Sequence, residues 1–403
     1  MNILEGTPKY PCTSCQMCGA VCPKSAISVS LDKEGFYRPS VESELCIDCE
    51  LCTKVCYKFD NDIKQFSTGD LLQTKLYAAS AIDDKIVEST TSGGIADLLA
   101  RSLINKGYKV IGASYCSESN NVIHEIADSI DKTKRFRGSK YIQSYSVDAF
   151  RKIVKRRSEE KYAVFGLPCQ IYAISKYLDR IHARDKFVLI DLFCHGCPTM
   201  LAWSKVSDSL KDKLHAKAFT FANWRSKQRG WGSFVLEVHT NTGKSFTSKP
   251  MSNEFFDFFF SNQLLNESCT DCRVRGSLAY TDIRLGDFWG KEYEKTFRGV
   301  SGVSIATKTG ADLFKSISSE IEMVEKDYSS FLPYQSWNHK YKINPRLRSE
   351  LMALLQDKSS SLSQCVAPIR RRRSKVDRFK IYIKQALCYL PDFVEKRIRQ
   401  VIK

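Results

Sequence analysis

The chain has no run of 18 consecutive apolar residues, and its densest stretch, Phe255 to Phe260, is interrupted by Asp257. A helix able to cross a bilayer is therefore not expected. Met1 to Pro11 lacks the basic-then-apolar order of an export signal, so the cysteines are expected to meet a reducing cytoplasm rather than to form disulfides. No G-x-G-x-x-G follows a predicted strand, which excludes an ordinary dinucleotide-binding turn. No nucleic-acid-binding module accompanies the basic charge, so nucleic acid is not an expected partner. Internal repeats are missing too, apart from one cysteine pattern.

The charge itself is uneven. Of the formal +17, a net +9 falls between Arg370 and Lys403, where twelve Lys and Arg face three Asp and Glu. Cubane clusters held by four thiolates carry about −2 each, which lowers the remainder further. With 403 residues, 43% hydrophobic and 27% charged, the chain suits two or three globular domains.

What the chain has in quantity is cysteine, sixteen in all. Eight form two copies of C-x2-C-x2-C-x3-C: Cys12, Cys15, Cys18, Cys22 and Cys46, Cys49, Cys52, Cys56. This is the bacterial ferredoxin spacing for a 4Fe-4S cluster. Three thiolates on a tight loop cap three irons of one cube, and the fourth, too far along the chain, ligates the other. Cluster one is thus expected on Cys12, Cys15, Cys18 and Cys56, and cluster two on Cys46, Cys49, Cys52 and Cys22. Zinc ribbons need no cysteine at a fixed third spacing. Pro23 follows the first run as the motif expects, whereas Tyr57 stands there after the second.

Between the runs, Ile27 to Leu31 alternates apolar and polar, Asp32 to Gly35 turns, and Phe36-Tyr37 begins a return strand, the signature of a hairpin. Residues 60–74 read as a polar linker. Beyond them strands are expected at 77–82, 109–115, 122–127, 162–166, 187–193, 233–239, 245–248, 302–308 and 321–326. Helices are expected at 95–104, 147–156, 171–178, 201–214 and 311–317. The fold class is α+β: a small ferredoxin-like double-cluster domain (1–65), a mixed α/β domain (75–345), which the resemblance described below makes flavin- and iron–sulfur-binding, and a basic helical tail (346–403).

The α/β region holds a second constellation, Cys169, Cys194, Cys197, Cys269 and Cys272, each at a strand or loop end. Such residues meet only if the strand ends share one edge of a sheet; otherwise they are buried free thiols. Cys116, Cys365 and Cys388 have no partners in the pattern and read as structural thiols. Two loops could receive an anion. Thr90-Thr91-Ser92-Gly93-Gly94 precedes a predicted helix, and its alternative is a plain cap. Lys132 to Tyr141, including Arg137, Gly138, Ser139 and Lys140, is cationic with a stacking Tyr141, and its alternative is a solvated basic loop.

Six segments in order give a family resemblance. Gly166-Leu167-Pro168-Cys169-Gln170, Asp191-Leu192-Phe193-Cys194-His195-Gly196, Cys269-x-x-Cys272 with Asp282-Ile283 and Asp287-Phe288-Trp289-Gly290, Thr91-Ser92-Gly93-Gly94, Gly138-Ser139-Lys140-Tyr141 and Gly230-Trp231-Gly232 are similar to the family of coenzyme F-420 hydrogenase/dehydrogenase beta subunits. The resemblance covers roughly residues 8 to 345. It implies FAD exchanging electrons with a further 4Fe-4S cluster, whose ligands by motif are Cys169, Cys194, Cys269 and Cys272. Cys197 is a departure from the family pattern and a spare thiol. With the resemblance, Ser92, Gly93, Gly94, Arg137, Gly138, Ser139, Lys140 and Tyr141 become the expected FAD contacts. His195 is the candidate catalytic residue, as proton donor or through a hydrogen bond to the adjacent cluster; a packed structural histidine is the alternative.

After Arg370 to Arg373, Val376, Phe379, Ile383, Leu387 and Leu390 recur every three or four residues among Lys and Arg, and Pro391-Asp392 restarts a helix with Val394, Ile398, Val401 and Ile402. A basic amphipathic helix suits the inner membrane face or a partner; its alternative is a helix covering its own domain. The expected function is an iron–sulfur flavoprotein oxidoreductase acting on a small molecule, such as a deazaflavin, with a redox donor or acceptor protein or reduced deazaflavin as partner. The competing readings are an electron-transfer subunit serving a separate catalytic partner, and a zinc-stabilised nucleic-acid or scaffold protein.

Overall fold

A computed structural model describes residues 1–156, 159–250, 253–293 and 296–387. The expected hairpin is formed: Ile27–Leu31 (β1) pairs antiparallel with Tyr37–Val41 (β2). Asp32 makes its turn, the carboxylate accepting the N–H groups of Glu34 and Phe36 at 2.9 Å each. The segment expected as a linker contains a short helix, Thr68–Leu72. Ser67 and Asp70 close a capping box there, each side chain bonding the other's backbone N–H, so polar residues encode a helix start rather than a flexible connection.

Among the described residues nine strands form one sheet: Lys75–Ala81 (β3), Tyr108–Cys116 (β4), Asn121–Ala127 (β5), Ser144–Tyr145 (β6), Lys161–Phe165 (β7), Phe187–Leu192 (β8), and, after Phe219–Ser226 (β9), Val235–Thr240 (β10) and Ser245–Thr247 (β11), Ile283–Asp287 (β12), Ser301–Ile305 (β13) and Ile321–Lys326 (β14). Their order is β14-β3-β13-β12-β8-β7-β4-β5-β6. The centre, β12-β8-β7-β4, is parallel. A parallel sheet is covered on both faces, which is why β8 is nearly all apolar. Helices Ile95–Asn105 and Lys308–Lys315 cover one face, with Leu98, Leu99, Leu313 and Phe314 packed in one core with Val303 of β13. Helices Val147–Arg156 and Pro168–Arg180 cover the other. Met17 and Val21, from the N-terminal short helix Met17–Val21, enter that second core beside Phe150 and Tyr172. The cysteine-rich module is therefore docked onto the sheet.

A three-stranded sheet, β11-β10-β9, builds a further core with helices Met200–Leu214, Glu254–Phe260, Pro345–Gln356 and Leu362–Arg371 around Trp203, Trp224, Phe255 and Leu351. Residues 345–371 thus pack as core. Arg370 pairs with Asp257 and Glu254, and Arg373 with Asp257, so part of the C-terminal charge is neutralised within the fold. Helix Lys375–Leu387 follows, with Val376, Phe379 and Tyr382 exposed. Cys388, Leu390 and the second helix expected after Pro391 lie outside the described residues. Among the described residues no helix is long and apolar enough to cross a membrane.

Candidate metal centres and adjoining loops

The two cysteine runs enclose two cavities in the crossed arrangement. One is lined by Cys12, Cys15, Cys18 and Cys56. The other is lined by Cys22, Cys46, Cys49 and Cys52. The loops bend alike: Ser14 and Gln16 have φ of 61° and 66°, and Asp48 and Glu50, at the same places in the second run, 51° and 60°. Alternating left- and right-handed residues turn successive N–H groups toward a concavity, the arrangement that receives cluster sulfides. Burial pushes the Cys15 thiol up to about 11. Burial, followed by the Cys15, Cys12 and Cys56 thiols, pushes Cys18 well above its ordinary value. Bare thiolates are thus disfavoured by desolvation and by one another, whereas a cluster's iron cations stabilise the deprotonated form. Among the described residues no three His, Cys, Asp or Glu side chains gather on a single metal ion. Four thiols spread around a volume fit a four-iron cube, whose irons each take one ligand.

The dispersed cysteines come together because β7 and β8 are adjacent and parallel, so their C-terminal ends share one edge, the usual ligand side of such a sheet. Cys169 lies in the first turn of helix Pro168–Arg180, which starts three residues earlier than expected, with Pro168 as its first residue. Cys194 follows β8. Cys269 lies in the short helix Glu267–Thr270, and Cys272 just after it. Burial, then the Cys15, Cys272, Cys194 and Cys269 thiols, pushes Cys169 well above its ordinary value. Burial followed by Cys269 raises Cys194 to about 12. These four fit a third cube by the same chemistry. Cys197 lies beside the same group: burial, then the Cys269 and Cys194 thiols, push its thiol well above its ordinary value, and its backbone N–H donates to the Cys269 sulfur at 3.4 Å.

The cage around this group uses residues the sequence did not single out. Buried Arg284 grips Asp191 through two bonds of 2.8 and 2.5 Å and donates to the carbonyls of Arg275 and Ser277 at 2.8 Å. Arg275 in turn donates to the Cys269 carbonyl at 2.6 Å. The signal was a lone arginine in the apolar alternation of Ile283-Arg284-Leu285. His195 has both ring nitrogens engaged: Nε2 with Asn262 at 2.6 Å, and Nδ1 with Tyr341 at 2.9 Å and Ser336 at 3.3 Å. Burial lowers it to about 4, so it is neutral and held among protein groups beside Phe259 and Tyr341.

The two anion-receptive loops also meet, the Ser139 N–H donating to the Thr91 hydroxyl at 2.6 Å. Gly93 is required for contact: a Cβ there would lie 2.4 Å from the Ala79 carbonyl, and its N–H bonds the Ser301 hydroxyl at 3.0 Å. Ser92 donates to the Val300 carbonyl. Gly94 (φ 84°) precedes the helix, and a Cβ at Gly138 (φ 80°) would lie 3.7 Å from the Asn223 Oδ1. The cations here have internal partners. Arg137 grips Asp97 at 2.8 and 3.0 Å, and Lys140 donates to the carbonyls of Arg135, Phe136 and Arg137. Lys227, unremarked in the sequence, donates to Val87 and Ser92 carbonyls at 2.6 Å each. Burial pulls Lys140 and Lys227 down to about 7 each. Tyr141 accepts from Arg225, which also binds Asp287. The loop pair thus brings Gly93, Gly94 and Gly138 together with cations whose donors are bonded within the fold.

Residues 159–330 match the family model for the C-terminal part of the coenzyme F420 hydrogenase/dehydrogenase beta subunit, and residues 11–60 match a 4Fe-4S dicluster domain. The chain is 27% identical over 188 residues to the F subunit of the F(420)H(2) dehydrogenase of Methanosarcina mazei, covering 44% of this chain. It spans about half, 51%, of that relative's length. Among solved structures it is similar to a chain of the F420-reducing NiFe hydrogenase complex from Methanosarcina barkeri in a xenon derivative. That similarity has a TM-score of 0.44 and 17% identity, over 80% of this chain and 95% of the other.

Proposed function

Because the chain belongs to the family of coenzyme F420 hydrogenase/dehydrogenase beta subunits and carries a 4Fe-4S dicluster domain in front, we propose an iron–sulfur flavoprotein oxidoreductase that passes electrons between three 4Fe-4S centres and FAD. The observation that carries this reading is the meeting of Cys15, from the first quartet, with Cys169, from the third, in one buried core. That neighbourhood makes a path from the Cys46 loop through the Cys12 loop to the sheet edge. Ser92, Gly93, Gly94 and Arg137 to Tyr141 would hold the flavin. FAD would supply the exchange between single electrons and the electron pairs of an organic substrate. Around it, Gly93 and Gly94 would let backbone approach, Arg137 and Lys140 would exchange their Asp97 and carbonyl partners for the ligand's oxygens, and Tyr141 would lie beside them. His195 is a positioning residue: its bonds to Asn262, Tyr341 and Ser336 fix the Cys194 loop.

The substrate class is a small redox molecule such as a deazaflavin, in keeping with the named action of the Methanosarcina mazei relative. The redox partner is a donor or acceptor protein, in keeping with that relative's being a named subunit. The self-satisfied donors of the flavin loops favour one second reading, an electron-transfer subunit with no substrate of its own. Helix Lys375–Leu387 offers peripheral contact with the inner membrane face through Val376, Phe379 and Tyr382. The deciding measurement is iron, acid-labile sulfide and flavin per chain after anaerobic purification. About twelve irons and one flavin are expected. About eight irons without flavin would leave the dicluster domain as the sole redox unit, and turnover of a deazaflavin by the isolated chain separates the first reading from the second.

A further inference from the structure

Tyr57 occupies the place that Pro23 holds after the first cysteine run. It opens the short turn Tyr57–Phe59, a first position where proline is well tolerated, so the turn alone does not call for tyrosine. Its side chain is 1% exposed and among the largest fully buried. The hydroxyl accepts the backbone N–H of Arg273, the residue after Cys272, at 2.9 Å. The ring lies 5.1 Å from Tyr10, two residues ahead of Cys12, and 6.0 Å edge-on from Tyr172, on the helix that begins with Pro168-Cys169. The Arg273 guanidinium stands over Tyr10, 5.9 Å from its centre. One side chain thus touches segments bearing Cys12 and Cys56 on one side and Cys169 and Cys272 on the other. Proline at this place would reach none of them.

We propose that Tyr57 is a positioning residue that fixes the distance and coupling between the centre on Cys12, Cys15, Cys18 and Cys56 and the centre on Cys169, Cys194, Cys269 and Cys272. This rests on the reading that both quartets hold 4Fe-4S clusters. In the transfer concerned, one cluster is oxidised from its 1+ to its 2+ state and the other is reduced from 2+ to 1+. No bond forms or breaks and no proton moves; Tyr57 itself is not oxidised. Its contribution is mechanical, a ring and one hydrogen bond holding two loops together.

The test compares the full-length protein with Tyr57→Phe and Tyr57→Pro, purified anaerobically, by iron and sulfide content and by electron paramagnetic resonance after dithionite reduction. The natural protein should show, beyond the interaction within the dicluster domain, spin–spin interaction between the reduced centre on Cys12, Cys15, Cys18 and Cys56 and the reduced centre on Cys169, Cys194, Cys269 and Cys272. Tyr57→Phe, which keeps the ring, should retain it, and Tyr57→Pro should lose it while keeping about twelve irons per chain. Unchanged interaction in Tyr57→Pro at full iron content overturns the proposal. If Tyr57→Pro loses iron, Tyr57→Leu, which keeps apolar volume without ring or hydroxyl, decides by the same two readings. Fewer than about twelve irons in the natural protein overturns the three-cluster reading, and this inference with it.

Discussion

His124 is the clearest case of a single residue set against its surroundings. It lies on β5 with its ring buried beside Phe150 and near the Phe165 backbone. Burial lowers its pKa from 6.5 to about 4. The folded form therefore stays neutral where the unfolded chain already binds a proton, so its stability is complete above about 6.5 and is lost as pH falls toward 4. Between pH 8 and pH 6 this one group should cost about 0.8 kcal/mol. Thermal melts at the two pH values should show that loss, and His124→Phe, which suits the apolar site, should remove it. At this scale the cysteines were legible because a cluster fixes donor type and spacing. Arg284 was not, because its carbonyl partners at Arg275 and Ser277 lie in a loop that only the fold brings to it. For His195, sequence reveals the ring but not that Asn262 and Tyr341 occupy its nitrogens.

Among elements, strongly periodic or uniformly apolar segments read well, including the helix Ile95–Asn105 and β8, since burial of one face or both leaves a plain pattern. β12 was missed because Arg284, Gly286 and Asp287 break its apolar run for the sake of the site. β9 was missed as well: Phe219-Thr220-Phe221 begins an alternation, but Asn223 and Arg225 interrupt it, and Arg225 is buried on Asp287. The strand expected from residue 233 begins only at Val235, since Phe234 takes a φ of 50° after the turn Trp231–Ser233. The C-terminal helices divide into two kinds. Leu347, Leu351, Met352, Leu355 and Val366 are core, whereas Val376, Phe379 and Tyr382 face outward. Truncation after Ser374 should leave the melting temperature nearly unchanged and abolish sedimentation with anionic vesicles, with neutral vesicles as the control. Truncation after Asn344 should destabilise the protein severely, because five buried apolar side chains would leave the core.

Across the whole molecule, the iron–sulfur module is attached by buried polar pairing as well as by apolar packing. Gln16, 3% exposed, donates to the Ser144 carbonyl and accepts the Ser146 N–H, both at 2.7 Å. Gln143 similarly donates to the Gly35 carbonyl at 2.8 Å. Such groups specify one docked arrangement, since any other leaves them unpaired. Gln16→Leu should cost about 1–3 kcal/mol, read as a lower denaturant midpoint, and should weaken contact between the modules without removing a cysteine. The crossed cysteine runs give the assembly one more property. Cys49 is exposed, with Leu45 and Ile47 beside it, so dioxygen meets the outer centre first. That centre includes Cys22, whose own loop encloses the inner one. Oxidative loss of the outer centre would therefore release Cys22 and slacken the loop that lines the inner one.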